Sequence, residues 1–268
     1  MSSMQGTGVI QFGMPTLLSL DSLEANAALC RSIGLSFVEI SMNLPQYAVG
    51  TLDAKHLIAL KREYGIDFTI HLEERFDPCD FNGAIARAYS ETAMEALHMA
   101  ISAEIPLINF HLNEGIYFTL PRERVYLYDR YLPRYLESLS AFREACSRAN
   151  RSGIAFCVEN TRWQGRSFME QGVDCLLQST DFGLTFDVGH NHTMGGGDET
   201  FILARKSMLR HMHLHDAMEK SNHLGLGTGE MDLEKYLRLA SECGCRVVVE
   251  TKTVEALAQS VDWLKTNY

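Results

Sequence analysis

The chain lacks an excess of basic charge: 24 Lys and Arg stand against 34 Asp and Glu, a formal net charge of −10. Nucleic-acid binding usually leaves a basic footprint, so this balance argues against a polyanion as the main partner, although a local basic rim is compatible with it. No apolar stretch approaches the roughly 18 residues of a membrane span. The N-terminal MSSMQGTGVI has no basic segment followed by an apolar run, so neither a secretory leader nor a membrane partner is expected. Internal repeats, low-complexity tracts and linkers are also missing. The seven cysteines are odd in number and scattered, the usage of reduced thiols in the cytoplasm. Cys243 and Cys245 lie close together, but no second pair completes a zinc cluster, and they read as small buried hydrophobes.

What is present is an alternation. Strand candidates fall at 9–14, 37–42, 68–73, 107–112, 155–161, 184–190, 210–216 and 246–252. Helical patterns separate them, among them 22–34, 88–102 and 131–150, and Gly34, Gly65, Gly153 and Gly244 stand where C-cap glycines belong. Eight strands, each followed by a helix, imply parallel pairing through right-handed crossovers. The spacing therefore predicts an α/β fold, a closed (β/α)8 TIM barrel, with residues 1–268 as a single domain. A doubly wound open sheet is the alternative, weakened because no Gly-rich phosphate fingerprint follows the first strand. The longest connection, 113–131, is rich in aromatic and charged residues and reads equally as a lid or as a solvated loop.

The polar residues inside the strands carry the chemistry. Residues 211–217 read HMHLHDA, and alternate side chains of a strand share a face. His213 thus matches the depth of Glu39, His71, His111, Glu159, Asp187 and Glu250 on the other strands, while Ile70, Phe110, Val158, Phe186, Met212 and Val249 alternate with them toward the helices. Seven ionisable side chains then point into the lumen near its C-terminal mouth, where barrels of this architecture build their sites. Buried carboxylates need compensation. No lysine or arginine occupies these inward positions, so a divalent metal is the economical counter-charge. Mixed His and Asp/Glu ligation suits zinc, manganese, iron or cobalt better than calcium.

The motifs IHLEE, NFHLNEG, VENTRWQG, FDVGHNH, HMHLHDA, HLGLGTGEMD and VVVETKT, in this order, resemble the xylose isomerase-like barrel superfamily of sugar isomerases, sugar epimerases and endonuclease IV-type AP endonucleases. The resemblance implies one divalent metal (manganese, zinc, cobalt or magnesium) held by Glu159, Asp187, His213 and Glu250. Glu159 and Glu250 would double as acid and base, with His190 contacting a sugar-like substrate. The implied activity is isomerisation or epimerisation of a small sugar, sugar derivative or keto acid through a metal-stabilised cis-enediolate. A metal-assisted dehydratase can use the same acid–base pair.

The nuclease pattern implies more. His71 and His111, with Glu159 bridging, match a second metal, giving the alternative of a phosphodiesterase. His190 and His223 match part of a third site, whose aspartate is replaced here by Ser221. HLHDAME departs from the nuclease motif as well, with His215 and no lysine at the matching place. Trp163 and Arg162, beside the Glu159 strand, and His223 are candidate substrate contacts. Glu39 has no ligand role in the pattern and is expected behind the ligands. His211 is expected one layer deeper as a core histidine, and His192 and His215 at the rim or behind the ligands. A homo-oligomer is compatible with all of this.

Overall fold

The computed structural model describes residues 10–268; the first predicted strand begins at Val9, outside them. Among the described residues, eight parallel strands close into a barrel: β1 (Gln11–Pro15), β2 (Phe37–Ser41), β3 (Asp67–His71), β4 (Leu107–His111), β5 (Ala155–Glu159), β6 (Phe182–Asp187), β7 (Leu209–Leu214) and β8 (Arg246–Val249). Strand β1 pairs with both β2 and β8, which completes the ring.

Local chemistry sets the connections. The helix Leu23–Ile33 begins where the Ser22 side chain accepts the Ala25 N–H and stops at Gly34, whose φ of 88° is left-handed. Gly65 and Gly244 end helices in the same way. Gly153 does not. The helix Leu132–Ala149 stops earlier, and Gly153 takes its positive φ in the turn into β5. The helix Gly83–Ser102 starts before the predicted 88–102, capped by Asn82. The seven cysteines are free thiols, six of them buried and Cys243 partly so. No helix among the described residues is long and apolar enough to cross a membrane.

The period of two fills the lumen in tiers. At the bottom the Phe37 ring lies where a Cβ on Gly13 would stand, 2.5 Å away, so only glycine leaves it room. Above it come buried Glu39, Thr69, Asn109, Thr185 and His211. The next inward positions are His71, His111, Glu159, Asp187 and His213, with Glu250 one residue past the end of β8. Register places His111 beside Glu159 and Asp187 beside His213.

Two connections at the mouth are more ordered than the sequence suggests. The 113–131 segment contains an antiparallel hairpin, Tyr117–Thr119 with Arg124–Tyr126, followed by a helical turn Leu127–Arg130. It is tied down by Tyr128, which donates to Asp77 Oδ2 at 2.7 Å, and by Glu114 with Arg166 at 2.7 Å. After β7, Asp216–Met218 pairs with Ser221–Leu224. The buried Asp216 carboxylate accepts the backbone N–H groups of Ala217, Gly227, Gly229 and Met231, which fixes the GLGTG turn.

Candidate active site

The upper tier converges on His213. Its Nδ1 lies 3.3 Å from Glu159 Oε1, 3.2 Å from Glu250 Oε2 and 4.0 Å from Asp187 Oδ2. Its other nitrogen, Nε2, meets Glu39 Oε1 at 2.8 Å. Glu39 Oε2 takes His211 Nε2 at 2.9 Å and accepts the Thr69 hydroxyl at 3.1 Å, so this carboxylate is fully engaged below the site. Glu159 is held from the opposite flank. His111 Nε2 lies 3.3 Å from Oε1, His71 Nε2 lies 3.3 Å from Oε2, and Asn109 donates to Oε2 at 2.6 Å. Thr185 in turn donates to Asn109 Oδ1, fixing which end of that amide faces Glu159.

Charge follows from these contacts. Burial pushes the Glu159 carboxyl up, but His213 and His111 outweigh it and hold it well below the usual carboxylate range. Burial acts the same way on Glu250, where His213 and Lys252 prevail, and on Asp187, where His215 and His190 do. Conversely, burial disfavours a charged His213, yet Glu159, Glu39 and Glu250 raise its pKa well above the ordinary value. The cluster thus holds its carboxylates in the charged form, with imidazole and ammonium groups beside them.

A divalent cation fits the same place. Asp187 Oδ2, His213 Nδ1 and Glu250 Oε2 are buried and have no hydrogen-bond partner. Orphaned polar atoms of this kind are costly unless something binds them. These three residues can each offer a donor atom within 4.8 Å of the others, and so can Glu159, Asp187 and His190. A donor set of carboxylates and imidazole is one a divalent cation can accept. A third group, His71, Glu74 and His111, adjoins it across Glu159.

Beside the cluster opens a cavity of about 410 Å³ lined by Thr16, Leu17, Ser41, Asn43, Glu250 and Lys252 among others. Residues 27–267 match the xylose isomerase-like TIM barrel family. The chain belongs to that family. It is 24% identical over 226 residues to the uncharacterised protein MJ1311 of Methanocaldococcus jannaschii, covering 79% of this chain and 73% of that one. Among solved structures it is similar to a D-tagatose 3-epimerase-like protein, at 20% identity, 96% of each chain and a TM-score of 0.76. It is also similar to the 3-keto-D-glucoside 4-epimerase YcjR of E. coli, at 14% identity, 96% of this chain and 100% of that chain, with a TM-score of 0.73. A third is the D-psicose 3-epimerase of Clostridium cellulolyticum H10, solved with D-tagatose, at 15% identity, 96% and 98% coverage and a TM-score of 0.72. At these identities the likeness to solved structures is one of fold.

In this xylose isomerase-like barrel the strand positions expected to face the lumen do so, and several peripheral residues stand elsewhere than expected. Strand β6 ends at Asp187, not 190. The Asp187 carboxylate caps the helical turn Val188–Thr193 by accepting the His190 N–H at 2.7 Å, and His190 therefore reaches the site from that turn, Nδ1 2.9 Å from Asp187 Oδ2. Trp163 is fully buried and packs edge-on against Phe201, so its ring is not available to stack on a substrate. Arg162 is exposed in a left-handed backbone conformation, with its N–H donating to Asp198, and does not line the cavity. His223 lies within the second hairpin, Nδ1 3.1 Å from the Glu250 carbonyl, and burial pushes its pKa down to about 4. Of the two places open to His215, the structure gives the one behind the ligands: it is wholly buried, 3.2 Å from Asp187 Oδ1. His192 pairs with Glu230 outside the cluster.

Two residues escaped the strand reading. Glu74 touches His111 Nδ1 at 2.8 Å, and Lys252 touches Glu250 Oε1 at 2.7 Å, so a lysine does reach the site, from beyond the strand end. Glu74 lies on a loop, where no periodicity places a side chain, whereas Lys252 ends the expected 246–252 strand two residues after Glu250 and so falls on the same face, a cation that the reading of the inward positions passed over.

Proposed function

We propose that the chain is a divalent-metal-dependent isomerase or epimerase of a small sugar, sugar derivative or keto acid. The observation that carries this reading is the convergence of Asp187 Oδ2, His213 Nδ1 and Glu250 Oε2, none of which makes an aligned hydrogen bond, with Glu159 beside them, next to a cavity with hydroxyl, amide and ammonium groups on its wall. A divalent ion (manganese, zinc, cobalt or magnesium) held by Glu159, Asp187, His213 and Glu250 would supply Lewis acidity toward adjacent substrate oxygens.

The protein's own groups supply the rest. Glu159 and Glu250 approach from either side of the His213 strand, and both are held ionised, the state a proton acceptor needs. One takes the proton from the carbon beside the substrate carbonyl, leaving an enediolate. The other, having taken up a proton from solvent, returns it to the opposite face of that carbon and inverts it, the first releasing its own proton to solvent; return to the neighbouring carbon, with the hydroxyl proton passing between the two substrate oxygens, isomerises the substrate. Thr16, Ser41 and Asn43 offer hydrogen bonds to substrate hydroxyls, and Leu17 and Leu44 close the wall. His190, beside Asp187, is placed to meet a substrate oxygen. The free thiols suit work in the cytoplasm.

The test is exchange of carbon-bound hydrogen in deuterated water, with a panel of ketoses and keto acids and with each of the four metals. Exchange that chelation abolishes supports the reading. Absence of label and of conversion across the panel rejects it.

A second reading rests on the His71, Glu74 and His111 group, which with Glu159 offers a second ion a place and so favours phosphodiester hydrolysis. The acidic net charge opposes it. Cleavage of abasic duplex DNA after zinc or manganese loading would establish that reading in place of the first.

A further inference from the structure

We infer that His215 is a positioning residue for Asp187, setting which carboxylate oxygen is left for the metal; this rests on the metal-dependent reading above. His215 is fully buried. Its Nδ1 accepts the backbone N–H of His223 at 2.8 Å. A peptide N–H is always a donor, so the His215 proton must sit on Nε2. The Asp216 carbonyl, 3.2 Å from the same Nδ1, would require the opposite tautomer, and the shorter contact to an obligatory donor prevails. The Nε2–H finds no aligned hydrogen-bond partner, and the acceptor in reach is Asp187 Oδ1 at 3.2 Å. That oxygen already accepts the His190 N–H at 2.7 Å. The His190 N–H on Oδ1, with His215 Nε2 3.2 Å from the same oxygen, fixes the carboxylate plane and turns Oδ2 toward His190 Nδ1 at 2.9 Å and His213 Nδ1 at 4.0 Å.

The surroundings are built for this ring. A Cβ on Gly189 would lie 2.0 Å from His215 Cε1, so the helical turn after Asp187 accepts the imidazole only with glycine at that position. His223 holds a left-handed φ of 54°, unusual for a residue that is not glycine, and from there directs its N–H at His215.

The same geometry settles what the His190, His215 and His223 group does. These residues lie close enough to share an ion. However, His215 Nδ1 is occupied by a donor and its Nε2–H faces a carboxylate, so neither nitrogen has a lone pair to give. In this tautomer the group orders Asp187 through His215.

Two substitutions separate the roles of the two nitrogens. H215N keeps an acceptor at the Nδ1 position for His223 but loses the donor toward Asp187; H215Q reaches Asp187 with an amide N–H. The dissociation constants of Zn²⁺ and Mn²⁺ are measured by chelator competition, together with the melting temperature of the metal-free protein. H215N should weaken both ions by about 10- to 100-fold, the range for loss of a group that orients a ligand, without a matching fall in metal-free stability. H215Q should stay within a few-fold of the wild type. G189A, which evicts the ring, should follow H215N. Wild-type affinity in H215N, or equal weakening in H215N and H215Q, overturns the positioning role and leaves the metal site standing. A wild type that binds neither ion overturns the metal reading and this inference with it.

Discussion

Glu39 meets His213 at 2.8 Å, carboxylate Oε1 against imidazole Nε2, and thereby turns Nδ1 of the same ring toward Glu159 and Glu250. A carboxylate behind a ligating histidine fixes the ring and raises its basicity. E39Q should therefore weaken divalent metal binding by about 10- to 100-fold, read by chelator competition, with the barrel's circular dichroism unchanged. Unaltered affinity would show that packing alone orients His213.

Glu159 and Glu250 divide the acid–base work in the proposed reaction. E159Q and E250Q should each lower proton exchange and turnover by at least about 100-fold, the lower end for loss of a positioned acid or base. E250Q is the cleaner test, because Glu250 makes fewer buried contacts than Glu159, which also neutralises His71 and His111. Either variant turning over at the wild-type rate removes that glutamate from the mechanism.

Asp77 lies outside the site, beneath the hairpin of the 113–131 segment. Burial pushes its carboxyl up to about 6, against the opposing hydrogen bonds from Tyr128 and the Cys79 N–H. A carboxyl group raised on folding favours the native state in its protonated form. Its contribution is full below the unfolded value of 3.8 and is lost as pH rises through about 6. The wild type should thus lose up to about 3 kcal/mol relative to D77N between pH 4 and pH 7.5. Denaturant titrations of both proteins at the two pH values measure it; an equal gap at both would sink the account.

Trp163 provides the opposite kind of test. Fully buried against Phe201, it is a packing residue. W163A should cost about 3–5 kcal/mol of stability, while KM of any identified substrate stays at the wild-type value. A large rise in KM in a stably folded variant would restore a substrate contact.

The sequence made the barrel legible because its two periods are clean. Apolar residues that face the helices alternate with ionisable ones that face the lumen, and capping residues such as Ser22 and Gly34 mark the helix ends. The same alternation located His213, Asp187, Glu159 and Glu250 by depth. It failed where the backbone leaves the strand. Asp187 is at once an inward residue and a helix cap, so the chain turns under His190 in a way a run of seven strand-like residues does not reveal. His215 looked peripheral because it stands near the end of the expected 210–216 strand, yet β7 stops at Leu214 and the following hairpin folds back and buries it. Glu74 and Trp163 lie on connections, where tertiary packing alone decides which way a side chain points.

The cavity wall is contributed unevenly around the ring. Thr16, Leu17 and Leu18 follow β1, and Asn43 and Leu44 follow β2, whereas the converging carboxylates and imidazole come from β5 to β8. Reactivity and fit thus lean toward different arcs of one circle, which meet at Glu250. Substitutions after β1 and β2 can change the size and polarity of what is admitted while the reacting groups keep their places, so a new preference can arise in this barrel without passing through an inactive form.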